Sequence, residues 1–248
     1  MSSKKKTIVV TRFDPDRDEV PKTQSYEIVA RDDWKVLDAL NHIKDHVDPT
    51  LSHRWSCRMA VCGSCGMQVN GEPVLTCKEP LDAYGDVVEV APLANFPVIR
   101  DLVVELEGFM ERLQTVKPWI MRAKERALEE GTHLQTPEQL EHFKKFSMCI
   151  NCMLCYAACP VVANEPDFLG PAAIALGHRY DQDSRDEGAR VRNEIFREEG
   201  GVFACSFANE CTEVCPKGVD PGYAIQEAKL LNVIDWTTSL VTRREDPK

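Results

Sequence analysis

Eleven cysteines, and the intervals between them, constrain this chain more than any other feature. Residues 149–160 read CINCMLCYAACP, which sets Cys149, Cys152, Cys155 and Cys159 ahead of Pro160 at C-x2-C-x2-C-x3-C-P. Residues 205–216, CSFANECTEVCP, keep the same ruler. Cys205, Cys211, Cys215 and Pro216 fall in register, and Ala208 stands where the second cysteine would be. Upstream, Cys57, Cys62 and Cys65 are spaced C-x4-C-x2-C, and Cys77 follows further on. An odd number of cysteines in a chain without a secretory h-region argues against a disulfide framework and for ligation.

The first set has the plant-type [2Fe–2S] spacing, and the second the bacterial-type spacing, in which the fourth cysteine serves the other cluster of a pair. Counting ligands on that rule gives Cys57, Cys62, Cys65 and Cys77 to a [2Fe–2S] cluster. It gives Cys149, Cys152, Cys155 and Cys215 to a [4Fe–4S] cluster. The remaining set is Cys159, Cys205 and Cys211, with nothing at Ala208. Three thiolates and a vacant corner favour [3Fe–4S], and all eleven cysteines are then used. Two alternatives stand beside this reading. Structural zinc also takes four cysteines, usually as two C-x2–4-C pairs. Water, Asn209 or Glu210 could also supply the missing ligand and keep a fourth iron.

The remaining composition excludes more than it suggests. With 43% hydrophobic and 28% charged residues, the chain has the make-up of a globular protein. A net charge of −10 disfavours nucleic-acid binding, and Lys4-Lys5-Lys6 is expected to be a solvated tail. No apolar run approaches the length of a membrane span, so membrane contact is expected through partners. No glycine fingerprint for a nucleotide follows a strand, and no HExxH or GxSxG appears. The chain reads as a carrier of electrons without a substrate site.

Periodicity places strands at 5–13 and 25–30, a helix at 36–47, a hairpin at 66–77 around Asn70-Gly71, and a strand at 85–93. The pattern resembles the β-grasp of plant-type ferredoxins. Apolar residues from Ile99 through Leu106 to Val116 predict a helix over 98–116, stopped by Pro118. Thr136, Pro137 and Gln139 form a helix-start signature, and further helices are expected around 187–199 and 221–234. The fold class is therefore α+β. A β-grasp plant-type ferredoxin domain (1–104) precedes an all-α bacterial-type ferredoxin domain (105–248).

Five segments together, RWSCRMAVCGSCGMQVNG, LANFPVIRDLVV, CINCMLCYAACP, GPAAIALGHRYDQDSRD and CTEVCPKGVDP, resemble the iron–sulfur subunit of the succinate dehydrogenase and fumarate reductase family. The resemblance implies a flavoprotein partner with FAD, membrane-anchor subunits and a quinone. Electrons would pass between FAD and quinone through [2Fe–2S], [4Fe–4S] and [3Fe–4S]. It implies a quinone pocket drawing on Pro160, Ser206, Phe207 and Lys229; the absence of a presequence pattern favours the cytoplasmic face of a bacterial inner membrane over a mitochondrial matrix. Family members often have aspartate at the third position of the first motif, where this chain has Cys65. VVANEP after Cys159, and Ser206, depart from the ubiquinone-linked pattern and look closer to menaquinone-linked relatives. Arg54 and Arg58, with His53 and Trp55 nearby, are candidates for favouring the reduced first cluster or for meeting the flavoprotein. His178 and Arg179 are expected to have a structural hydrogen-bonding role.

Overall fold

In a computed structural model of the chain, residues 3–124 and 126–241 are described. The strands are β1 (Ser3–Arg12), β2 (Lys22–Arg31), β3 (Gly66–Val69), β4 (Glu72–Leu75), β5 (Val87–Ala91), β6 (Val98–Arg100) and β7 (Val103–Val104). The helices are α1 (Val36–His42), α2 (Glu107–Thr115), α3 (Pro137–Lys144), α4 (Leu154–Ala157), α5 (Pro160–Asn164), α6 (Pro171–Asp181), α7 (Ala189–Arg197), α8 (Glu210–Glu213) and α9 (Pro221–Val241). They form an α+β chain of two compact units. The first is Met1–Gly108 with Ile150–Ala158, and the second is Phe109–Cys149 with Cys159–Lys248.

The first unit is built on a five-stranded sheet of order β2-β1-β5-β3-β4. β1 pairs antiparallel with β2 and parallel with β5, Ile8 facing Val88 and Val10 facing Val90. Alternation sends Ile8, Val10, Ile28 and Val88 to one face, where Leu40 of α1 and Ile43 bury against them. α1 continues as a π-helical turn over Ile43–Val47, so the helical stretch expected at 36–47 holds with a change of pitch. The β3–β4 hairpin turns on Asn70 and Gly71 at φ +49° and +88°, the left-handed pair that a two-residue hairpin loop requires.

Two expectations are corrected. Lys4-Lys5-Lys6 is not a free tail, because it lies within β1. Lys6 is buried and its Nζ donates to the Tyr84 and Gly85 carbonyls at 2.8 and 3.0 Å. The helix predicted over 98–116 begins only at Glu107, and its first third is the β6–β7 ribbon. Asp101 is the physical reason. It turns the chain at φ +47° with its carboxylate buried, where Oδ1 accepts from Phe13 N–H and Arg12 Nε, and Oδ2 from Ser52 N–H, at 2.8–3.0 Å. Four bonds, counting the one from Asp101 N–H to the Phe13 carbonyl, fix a turn that apolar periodicity cannot register. Arg12 also reaches Gln24, Tyr26, Asp48 and Thr50, so its buried charge is compensated on every side.

In the second unit, the regular elements among the described residues are helices. α3 starts as expected, Thr136 Oγ1 accepting from Gln139 N–H and the Gln139 side chain accepting from Thr136 N–H. α7 and α9 match the two later periodic stretches. Asp101→Ala should destabilise the chain by about 3 kcal/mol, because it leaves part of a buried guanidinium uncompensated. A fall in the urea midpoint at constant slope is the expected readout.

Candidate iron–sulfur centres

The loop that carries Cys57, Cys62 and Cys65 turns repeatedly through left-handed backbone. Arg58 and Ala60 are left-handed at φ +57° and +55°, and Gly63 follows at +73°. These turns aim N–H groups inward. Cys57 Sγ accepts from Met59, Val61 and Cys62 at 3.3–3.4 Å, and Cys77 Sγ accepts from Ala60 at 3.3 Å. The N–H groups of Met59, Cys62 and Val61 pull the Cys57 thiol down to about 6. Burial instead pushes Cys65 up to about 12. A donor set of main-chain N–H groups around thiolate sulfur fits an anionic cluster. Gly63 has a second duty, because a Cβ there would come within 2.9 Å of Cys152 Cα. The first cysteine loop thus packs directly on the Cys152 segment, which belongs to the same unit.

The later runs share one local conformation. Asn151 and Met153 are left-handed at φ +52° and +67°, and Phe207 and Asn209 repeat this at +61° and +66°. Met153 then opens α4 and Asn209 opens α8, both with ψ near 0°. Ala208 therefore occupies the backbone place that Cys152 has in the first run. Cys159, Cys205 and Cys211 line one cavity with Pro160, Ala208 and Asn209. Burial, with Cys159 and Cys205 close by, pushes the Cys211 thiol up to about 12, and burial also raises Cys159. Such thiols give up their protons when iron binds. Asn209 turns its Oδ1 toward Gly222, where a Cβ would meet it at 2.3 Å. Cys149 and Cys215 pack against Phe146, Ala175, Val219 and Ala224 in the second unit, whereas Cys152 and Cys155 belong to the first.

The other sequence candidates fall as follows. Lys229, in α9, donates from Nζ to the Cys205 carbonyl at 2.7 Å. Ser206 and Phe207 are exposed beside it, and the Phe207 N–H reaches Cys205 Sγ at 3.4 Å. Arg54 donates to the Val104 carbonyl. Arg58 pairs with Asp38 at 3.3 Å and lies over the Trp55 ring. The described hydrogen bonds to cysteine sulfur in this loop involve main-chain N–H groups and the Ser64 hydroxyl, 3.0 Å from Cys62 Sγ, and none involves these cations. Main-chain donors are what a glycine-bearing cysteine loop leads one to expect, and the left-handed turns at Arg58, Ala60 and Gly63 decide which amides face sulfur. His178 is buried, bonded to Glu227 at 2.8 Å and edge-on to Phe146. Arg179 bonds Ser147 and Asp183. Both have the structural role expected of them.

Comparison with known proteins agrees with the order of these sites. A family model described as a 2Fe-2S iron-sulfur cluster binding domain matches residues 7–111, and one described as a 4Fe-4S dicluster domain matches 145–219. The fumarate reductase iron-sulfur subunit of Mycobacterium tuberculosis is 55% identical over 222 residues, covering 89% of this chain and 90% of that protein. The chain belongs to the fumarate reductase and succinate dehydrogenase iron–sulfur subunit family. The Escherichia coli O6:H1 fumarate reductase iron-sulfur subunit is 48% identical over 96% of this chain and 97% of its own length. A chain of the Mycobacterium smegmatis Sdh1 complex in the apo form superposes with a TM-score of 0.83 at 28% identity, covering 94% of this chain and 98% of that one. As a family member the chain is the iron–sulfur component of a succinate:quinone oxidoreductase. Among the described residues no helix is long and apolar enough to cross a membrane.

His53 offers a pH test of the wall behind the first loop. Burial, helped by Lys44, pushes its pKa from 6.5 down to about 4, and its Nε2 meets Asn41 Oδ1 at 2.8 Å. Between those values the unfolded chain takes up a proton that the folded chain does not. Stability is therefore complete above pH 6.5 and falls, by about 3 kcal/mol in all, as pH drops toward 4. A His53→Gln chain should show a flatter dependence of melting temperature on pH across that window.

Proposed function

We propose that the chain relays electrons between the FAD of a flavoprotein subunit and a membrane quinone through three clusters of three kinds. Cys57, Cys62, Cys65 and Cys77 hold [2Fe–2S]. Cys149, Cys152, Cys155 and Cys215 hold [4Fe–4S], and Cys159, Cys205 and Cys211 hold [3Fe–4S]. When bound, the clusters supply one-electron carriers, and the chain's own residues fix their order and surroundings. A β-grasp plant-type domain and an all-α bacterial-type domain, divided in sequence near 104/105, are the folds proposed for these sets, although Cys152 and Cys155 pack with the first compact unit.

The observation that carries the reading is the repeated loop. Phe207 and Asn209 give the Cys205–Cys211 run the backbone of the Cys149–Cys155 run, with a methyl group where a ligand would be. The turn of Asn209 Oδ1 toward Gly222 supports a corner without a protein ligand. Packing of Gly63 on Cys152 supports direct succession from the first cluster to the second, since it brings a loop of one ligand set against a ligand of the next.

The quinone lies on the side of the third cluster. Pro160 shares the cavity of its three thiols, Lys229 holds the Cys205 carbonyl, and Ser206 and Phe207 stand exposed next to them. VVANEP and Ser206 favour menaquinone. Exposed apolar side chains along α9, among them Leu230, Ile234 and Trp236, suit contact with anchor subunits. That arrangement holds the chain at the cytoplasmic face of a bacterial inner membrane.

The test is a low-temperature EPR spectrum of the complex, purified without oxygen and fully oxidised. The [3Fe–4S] form is paramagnetic in that state and the other two are silent, so about one spin per chain is expected from the single three-iron site. Ala208→Cys should abolish that signal and add about one iron per chain, leaving the [2Fe–2S] spectrum unchanged on reduction. An oxidised native complex with full iron content and no signal would overturn the vacant corner.

A further inference from the structure

The loop that carries the first three cysteines supplies its sulfurs unequally. Cys57 Sγ accepts three main-chain N–H groups, and Cys77 Sγ accepts that of Ala60. Cys62, the exposed member of the set, receives a single long main-chain contact, from Cys57 N–H at 3.5 Å. Its short contact is to a side chain, with Ser64 Oγ 3.0 Å from Cys62 Sγ. A cysteine that ligates iron is a thiolate with no hydrogen to give, so the serine hydroxyl is the donor. The spacing follows from the turn between them, because Gly63 at φ +73° folds the chain so that residue 64 reaches back to residue 62.

We infer that the Ser64 hydroxyl sets the reduction potential of the [2Fe–2S] centre. This rests on the reading of Cys57, Cys62, Cys65 and Cys77 as its ligands. Reduction adds one electron, makes and breaks no covalent bond and moves no proton, so Ser64 keeps its hydrogen throughout. The electron increases the negative charge shared by the ligand sulfurs. A hydrogen bond to one of them is therefore stronger in the reduced state than in the oxidised state. Ser64 accordingly raises the potential, and its loss lowers it. The cations nearby do not duplicate this, since Arg58 is engaged by Asp38 and Trp55, and Arg54 by the Val104 carbonyl. Ser64 is a positioning residue: it meets neither substrate nor quinone and acts through Cys62. Unlike the main-chain donors, it can be removed by substitution.

The experiment is a redox titration of the assembled complex with dithionite, followed by the EPR signal of reduced [2Fe–2S], for the native chain, Ser64→Ala and Ser64→Thr. The expected result is a lower midpoint potential in Ser64→Ala at a full [2Fe–2S] spin count. Ser64→Thr, which keeps the hydroxyl, should titrate with the native chain, and the midpoints of the other two clusters should stay in place. An unchanged midpoint in Ser64→Ala would overturn the inference, as would an equal shift in Ser64→Thr. Loss of the cluster from Ser64→Ala would also overturn it, because the hydroxyl would then be structural. Absence of any [2Fe–2S] signal in the native complex is a different failure, which removes the ligand assignment itself.

Discussion

Main-chain N–H groups aimed at cysteine sulfur are the interaction on which this structure depends. Thiolates gathered around iron concentrate negative charge, and charge taken out of water must be met by dipoles or counter-charges. The chain meets it with backbone. The left-handed turns at Arg58, Ala60, Asn151, Met153, Phe207 and Asn209 would be a liability elsewhere, and they recur where a loop has to present its amides inward. Burial raises the Cys65 and Cys211 thiols, whereas main-chain N–H groups lower that of Cys57.

Each unit has its own means of holding such loops still. In the first, the sheet and α1 provide the apolar floor, and Arg12 ties β1 to Asp48 and Asp101. In the second, helices are linked by buried ion pairs. Arg192, fully buried, bonds Asp181, Asp186 and the Lys117 and Trp119 carbonyls, while Asp183 takes both Arg179 and Arg185. Removing Arg192 would leave Asp181 and Asp186 buried without their shared partner, so this platform is held at some cost in tolerance to change.

What could be read in the sequence is what depends on spacing. The Asn70-Gly71 hairpin and the Thr136 capping box are local patterns with one physical meaning each, and both appear in the structure in the expected form. Asp101 was hidden because its partners, Arg12 and Ser52, are distant in sequence, while the apolar positions around it keep a helical period. Lys6 was misread for a related reason, since nothing in KKK tells a buried ammonium from solvated ones. Ser64 was invisible because its contact with Cys62 requires the turn at Gly63, and that turn belongs to the folded backbone.

The segment Ile150–Ala158 has one more consequence. It is made some forty residues after the rest of its unit, yet Gly63 and Gly66 of the first cysteine loop pack on its main chain, and Asn95 bonds the Tyr156 carbonyl. On a ribosome the first unit is therefore incomplete until residue 158 has emerged, by which point Cys149, the first of the second unit's five cysteines, has emerged too. A nascent chain stalled earlier would expose the bare face of its first loop, and a gene cut after residue 108 would make a fragment without its own wall. The first unit is thus closed by a segment that only later synthesis supplies.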